Sequence, residues 1–79
     1  MGTAERIIAL LTAEYGVDPA HISPAANLVD LGLNSLTMAE LLCDLQDSFG
    51  IHIPLTEARI TTLGDAIALT DRLVAEKGG

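Results

Sequence analysis

The sequence predicts an all-α fold, a small bundle of three to four helices with a long ordered loop between the first helix and the second. Three segments carry apolar residues at the three- and four-residue spacing of an amphipathic helix. The composition agrees, because 49% of the residues are hydrophobic while only 3% are aromatic, and the remaining Leu, Ile, Val and Ala suit helices better than a sheet. At 79 residues, the chain is expected to form one domain spanning 1–79.

The first helix is predicted to begin at Thr3, a candidate N-cap, and to end at Gly16 in a left-handed conformation. Its apolar face consists of Ala4, Ile7, Ile8, Leu11 and Tyr15. Residues 17–34 lose this periodicity and contain Pro19 and Pro24, and they are long for a connection in so small a domain. We therefore expect an ordered loop that crosses the bundle and is held by apolar anchors. The candidate anchors are Ile22, Leu28, Leu31 and Leu33.

The second helix is the most strongly specified element, with Ser35 as the predicted N-cap and Gly50 as the stop. Its apolar stripe consists of Met38, Leu41, Leu42, Leu45 and Phe49. Residues 51–54 alternate like a strand, but four residues without a partner strand cannot form a sheet. An extended linker is expected there.

The last helix is predicted to begin at Thr62, with Asp65 at a position where an acidic residue favours a helix start. Before it, Thr56 is a candidate cap for a single turn that runs through Ile60. The buried face of the last helix is predicted to contain Leu63, Ala66, Ile67, Thr70, Leu73 and Val74. Residues 77–79 are expected to fray.

The charge balance is strongly acidic, with eleven acidic residues against four basic ones and a formal net charge of -7. Such a field repels nucleic acid and anionic membranes and attracts basic protein surfaces. No apolar run approaches the ~20 residues of a membrane span. The expected partner is a protein with a positive patch, rather than nucleic acid or membrane. The alternative at this point is that the charge only keeps a small hydrophobic domain soluble.

Nothing in the sequence suggests a metal site, a disulfide or a catalytic centre. Cys43 is the only cysteine, and His21 and His52 stand alone without metal-ligand spacing or an acid-base partner. A nucleophile, a base and an oxyanion donor cannot be assembled from these residues, so an enzyme is not expected. A cytoplasmic protein is expected, since there is no sign of a secretory signal.

The motif with chemical meaning is residues 30–36, Asp-Leu-Gly-Leu-Asn-Ser-Leu, directly before the second helix. It resembles the motif of acyl carrier proteins, in which Asp-Ser-Leu follows a glycine and the serine accepts 4'-phosphopantetheine. Further similarity lies in the Tyr-Gly-Val at 15–17, in Phe49 followed by Ile-Pro at 53–54, and in residues 60–63. The matching segments occur in the family's order and cover nearly the whole chain.

This resemblance implies a monomeric, non-catalytic carrier that holds acyl, polyketide or aminoacyl intermediates as thioesters on a covalent 4'-phosphopantetheine arm at Ser35. Its partners would be a phosphopantetheinyl transferase, a loading ligase, and synthases and transferases with basic docking patches. A serine at a helix start is physically suited to carry a phosphodiester, because the positive end of the helix dipole lies there. Asn34 stands where the commonest family form has Asp, which leaves open which transferase acts. The cargo is open as well.

Two rows of residues on the second helix are candidates for partner docking. Glu40, Asp44 and Asp47 form an acidic stripe, and Leu36, Ala39 and Cys43 form an apolar strip beside it. In the family, this helix meets the basic surfaces of partner enzymes. The alternative is a solvated helix face. The rival function is a non-covalent acidic helical interaction module without a prosthetic group, in which Ser35 is only a cap.

Overall fold

The computed structural model describes residues 2–78, which form three α-helices and two short 3₁₀ turns. The helices are α1 (Thr3–Tyr15), α2 (Ser35–Phe49) and α3 (Leu63–Gly78), and the turns are Pro19–His21 and Leu55–Glu57. Within residues 2–78 no strand forms, and a single isolated bridge pairs Asn27 with Thr62. The predicted all-α bundle with a long loop between the first two helices is confirmed.

The first two helices end where the sequence predicts. Gly16 and Gly50 lie in the left-handed region, with φ of 65° and 62°. Their N–H groups donate to the carbonyls of Leu11 and Gln46. A side chain with a Cβ is strained in that conformation, so glycine at these two positions ends each helix.

The start of α3 matches the prediction, while the start of α1 does not. Thr62 caps α3, because its Oγ1 accepts from the Asp65 N–H at 3.1 Å and its N–H donates to Asp65 Oδ2 at 3.0 Å. Hydrogen bonds from the backbone of Thr62 and then Thr61 lower the pKa of Asp65. In α1 the cap is Gly2, whose N–H donates to Glu5 Oε2 at 3.0 Å. Thr3 is therefore the first helical residue rather than the N-cap, because Glu5 satisfies the cap amide.

One prediction near the C-terminus is also wrong. The single turn spans Leu55–Glu57, with the Glu57 N–H donating to the Pro54 carbonyl, so Thr56 lies inside the turn and the turn stops well before Ile60. Residues 77 and 78, where fraying is expected, belong to α3, and Lys77 Nζ lies 3.4 Å from the Phe49 carbonyl oxygen. Gly79 lies outside the described residues.

The core is built from all three helices and from the loop. Leu28 and Leu33 are buried and Ile22 and Leu31 partly buried, so the predicted loop anchors are confirmed. The buried hydrophobic residues are Ile7, Leu11, Val17, Leu28, Leu33, Leu41, Leu45, Ile53, Leu63 and Ala66. Thr70 is also buried, with its hydroxyl donating to the Ala66 carbonyl at 2.8 Å.

Backbone hydrogen bonds fasten the loop to the start of α3. The Leu28 N–H donates to the Thr61 carbonyl at 2.9 Å, and the Leu63 N–H donates to the Ala26 carbonyl at 3.0 Å. A third bond of 2.8 Å joins the Gly64 N–H to the Pro24 carbonyl. The loop that leads into α2 is therefore an ordered part of the bundle.

Gly64→Ala is expected to destabilise the protein, although alanine is the better helix former by about 1 kcal/mol. A Cβ at position 64 would lie 2.9 Å from the Pro24 carbonyl oxygen, so the loop must shift. Overpacking of this kind costs about 1 to 3 kcal/mol. Urea unfolding measures the change, and Gly78→Ala is the matched control because its Cβ would meet nothing within 4 Å. A Gly64→Ala variant as stable as the parent would show that the loop is not held tightly there.

The C-terminal end of α2 is held by cations from both other helices. Arg6 of α1 donates to the Ser48 carbonyl at 2.7 Å, and its guanidinium lies 4.0 Å from the centre of the Phe49 ring. Lys77 of α3 reaches the Phe49 carbonyl. Since α2 has no basic residue in its own last turn, these two side chains supply the positive charge that its carbonyl end favours.

Candidate functional site

The N-terminus of α2 is capped by Asn34, and the prediction that Ser35 is the cap is wrong. The Thr37 N–H donates to Asn34 Oδ1 at 2.9 Å, and the Asn34 N–H donates to Thr37 Oγ1 at 2.7 Å. Asn34 has the extended conformation of a cap, with φ of -96° and ψ of -176°. If Ser35 were the cap, the residue three positions later would be Met38. Its apolar side chain could not accept a hydrogen bond from the N–H of the cap residue. The Asn-x-x-Thr spacing was the sequence signal that could have identified the cap.

Ser35 is consequently the first residue of α2, and its side chain is not used for capping. The residue is exposed, and its hydroxyl has no hydrogen-bond partner among residues 2–78. The backbone N–H groups of Ser35 and Leu36 have no acceptor among those residues either. An anion joined to this hydroxyl would lie beside two unpaired donors at the positive end of a helix.

The loop before α2 fixes the point at which the helix begins. Leu33 is buried, and its N–H donates to the Leu28 carbonyl at 3.2 Å. Gly32, with φ of 98°, makes the turn that brings the Leu33 N–H to the Leu28 carbonyl. From Leu33 the chain passes in two residues from the core to the exposed Ser35.

The predicted acidic stripe is present on α2, but its members differ in their surroundings. Glu40 and Asp47 are exposed, whereas Asp44 is half-buried. Asp44 Oδ2 accepts a hydrogen bond of 2.6 Å from the Tyr15 hydroxyl of α1. Sequence reasoning missed this contact. Its one available signal was a tyrosine on an apolar helix face, because a buried phenol needs a hydrogen-bond partner.

The predicted apolar strip lies on the surface as expected. Leu36, Ala39 and Cys43 are all exposed, and Leu36 retains 68% of its accessible surface. Val29, in the loop before α2, is 70% exposed and was not predicted as a surface residue. The strip therefore belongs to the solvent-facing side of α2, next to Ser35.

Tyr15→Phe is expected to cost about 1.5 to 3 kcal/mol of stability, because it removes a hydrogen bond to a charged group while keeping the ring. Burial, and then the bond to Asp44, raise the pKa of Tyr15 above its ordinary value of 10.0. A raised pKa gives stability that is complete below pH 10 and declines as the pH rises further. Denaturant unfolding above pH 10 should show this decline in the parent and not in Tyr15→Phe. Tyr15 is the only tyrosine, so its absorbance titration measures the shift directly. A midpoint near 10 would contradict the bond to Asp44.

The other candidate groups do not form a site. His21 and His52 are exposed, and residues 2–78 contain no group of three or more His, Cys, Asp or Glu able to hold a metal ion. In the same residues, no helix combines the length and the apolarity that a membrane crossing needs.

The site is an exposed serine at the start of the second helix of a three-helix bundle. The family model described as "Phosphopantetheine attachment site" matches residues 5–70. The chain belongs to this family, the phosphopantetheine-dependent acyl carrier proteins. The family carries 4'-phosphopantetheine covalently on a serine.

The structural comparison agrees with this assignment. The fold is similar to that of the acyl carrier protein from Thermotoga maritima in its crystal structure, with a TM-score of 0.82. The two sequences are 19% identical, and the similarity covers 92% of this chain and 87% of the other. The protein is therefore a phosphopantetheine carrier protein with the acyl carrier fold.

Proposed function

We propose that Ser35 is the serine that carries the phosphopantetheine arm. The observation that supports this most is its free hydroxyl at the first position of α2, beside two unpaired backbone N–H groups. The residues here fit the group, since a phosphodiester is an anion and the positive end of a helix favours one. When bound, the arm supplies a thiol that holds the cargo as a thioester.

The other two serines are less suitable. Ser48 is near the C-terminal end of α2, where the helix dipole disfavours an anion, and its carbonyl is bound by Arg6. Ser23 precedes a turn in the loop, where its carbonyl accepts from the Ala26 N–H, and it is not at the start of an α-helix. Neither has unpaired helix amides next to its hydroxyl in the way that Ser35 has.

We propose further that the exposed face of α2 next to Ser35 is where partner enzymes dock. Leu36 provides exposed apolar area, and Glu40 and Asp47 provide exposed negative charge. Ala39, Cys43 and the half-buried Asp44 complete this face. An apolar centre with a charged rim suits a partner surface that is apolar in the middle and basic at its edge. In this proposal, a monomer delivers its cargo and the partner enzymes make and break the bonds. The cargo in this proposal is an acyl, polyketide or aminoacyl group, all three of which are held by the same kind of thioester.

The mass of the intact protein tests the carrier function. Co-expression with a phosphopantetheinyl transferase should add one phosphopantetheine to each chain. The same expression without the transferase, in a host whose own transferases are absent, is the control and should give the unmodified mass. If neither transferases of fatty acid synthesis nor those of polyketide and peptide synthesis change the mass, the non-covalent interaction module becomes the better explanation.

A further inference from the structure

The first turn of α2 is largely exposed. Asn34, Ser35 and Leu36 are exposed and Thr37 is half-buried, and the first hydrophobic side chain of the helix that packs against the core is Met38. A helix end without tertiary contacts frays unless its caps hold it. The order of this turn therefore depends on the hydrogen bonds that Asn34 and Thr37 make.

Asn34 and Thr37 are hydrogen-bonded to each other in both directions, and Ser35 lies between them in the chain. Besides the two reciprocal backbone bonds, Thr37 Oγ1 lies 3.1 Å from both the Asn34 carbonyl oxygen and Asn34 Oδ1, so its single proton has an acceptor in either direction. The Met38 N–H closes the turn on the Asn34 carbonyl at 2.8 Å. Ser35 lies inside this ring of bonds and takes part in none of them through its side chain.

From this geometry we propose that Asn34 and Thr37 are positioning residues for the modification of Ser35. They take over the capping that Ser35 would otherwise perform, which leaves its hydroxyl free, and they hold its backbone in one helical conformation. This inference rests on the proposed function, since it assumes that Ser35 is the residue modified. Thr37 is the more informative of the two, because it lies outside the motif by which the sequence resembles its relatives.

The reaction that this positioning would favour is the transfer of the phosphopantetheinyl group to Ser35. In the donor molecule, the group is attached through a phosphoanhydride bond. Ser35 Oγ forms a new bond to the phosphorus, and the P–O bond of the anhydride breaks with its electron pair leaving on the departing phosphate. The hydroxyl proton passes to a base of the transferase or to water. A serine with a fixed backbone presents its hydroxyl to the phosphorus in one orientation. This raises the rate of transfer within the complex, kcat, and has little effect on the affinity of the carrier for the transferase.

Steady-state kinetics of a phosphopantetheinyl transferase, with the carrier as the varied substrate, test this proposal. Thr37→Val keeps the shape of the side chain and removes both its acceptor and its donor, so kcat should fall about tenfold while KM changes little. Thr37→Ser restores the hydroxyl and should restore kcat. Thr3→Val makes the same chemical change in the first turn of α1 and should leave both constants unchanged.

Asn34 separates capping from charge in the same assay. Asn34→Asp keeps an oxygen for the Thr37 N–H and should keep kcat, so any effect of its added charge should appear in KM. Asn34→Ala loses the oxygen and should lower kcat as Thr37→Val does. Circular dichroism and thermal unfolding of each variant show whether the bundle is intact.

The outcomes distinguish this inference from the proposed function. Unmodified parent protein would overturn the carrier assignment itself. Modified parent together with an unchanged kcat for Thr37→Val, or a kcat that Thr37→Ser does not restore, would overturn only the positioning role. A fall in kcat shared equally by Thr3→Val would also contradict it.

Discussion

Replacement of Ser35 by alanine is expected to abolish phosphopantetheinylation while leaving the free energy of unfolding almost unchanged. The chemical loss is complete, because the only proposed attachment oxygen is removed. The stability is kept because Ser35 is the first helical residue and its hydroxyl makes no hydrogen bond within residues 2–78. Alanine also has the highest helix propensity. Intact mass after incubation with a transferase measures the first effect, and urea unfolding measures the second.

The neighbouring cap and the other serines provide the matched controls. Asn34→Ala should lose about 1 kcal/mol, since Asn34 is the residue that caps α2. Ser23→Ala and Ser48→Ala should be modified as the parent is. Phosphopantetheine on the Ser35→Ala variant, or a Ser35→Ala variant as unstable as Asn34→Ala, would show that the roles of residues 34 and 35 are assigned wrongly.

Reversal of charge on α2 is expected to slow the docking of partner enzymes by about tenfold at low salt, through a lower rate of association. Glu40→Lys and Asp47→Lys are the informative variants, because both side chains are exposed. Asp44 is less suitable, since its bond to Tyr15 would be lost as well. Stopped-flow association with a transferase or a loading ligase measures the rate.

A control variant on α3 distinguishes the effect of charge on α2 from the effect of the protein's net charge. Asp71→Lys on α3 changes the net charge by the same two units at another exposed site, so it should slow association much less. The difference between Glu40→Lys and Asp71→Lys should shrink as the salt concentration rises, because charges more than ~8 Å apart are largely screened at physiological ionic strength. Equal rates for the two variants would place docking away from α2.

The elements that the sequence predicted well are those whose local and tertiary signals agree. The apolar spacing in α2 identified its core face, and Gly16 and Gly50 were recognised as helix ends because a left-handed residue is a strong local requirement. The loop anchors Leu28 and Leu33 followed from the need to bury large side chains in a long segment.

The errors at the starts of α1 and α2 share one physical cause, which is competition between nearby capping groups. Thr3 and Ser35 each had a suitable hydroxyl, and in both cases neighbouring groups determined a different boundary. At α2, Asn34 is the cap because its side chain accepts from the Thr37 N–H while the Thr37 hydroxyl accepts from the Asn34 N–H. At α1, the Glu5 carboxylate reaches the Gly2 N–H. Helix starts depend on such pairs, and single residues predict them poorly.

Contacts between distant segments were beyond the reach of sequence reasoning. The bond from Tyr15 to Asp44 joins residues 29 positions apart, and the bonds from the loop to the start of α3 join segments on either side of α2. Periodicity shows which face of a helix is buried but not which residue of another helix it meets. Asp44 was therefore predicted only as a docking residue, while the structure shows that it also joins α1 to α2.

The most direct test of the carrier function at Ser35 is to locate the prosthetic group on the protein. The protein is modified by a phosphopantetheinyl transferase and digested, and the peptides are sequenced by tandem mass spectrometry. One phosphopantetheine is expected, on Ser35 alone. The group on Ser23, on Ser48 or on any threonine would contradict the assignment of Ser35.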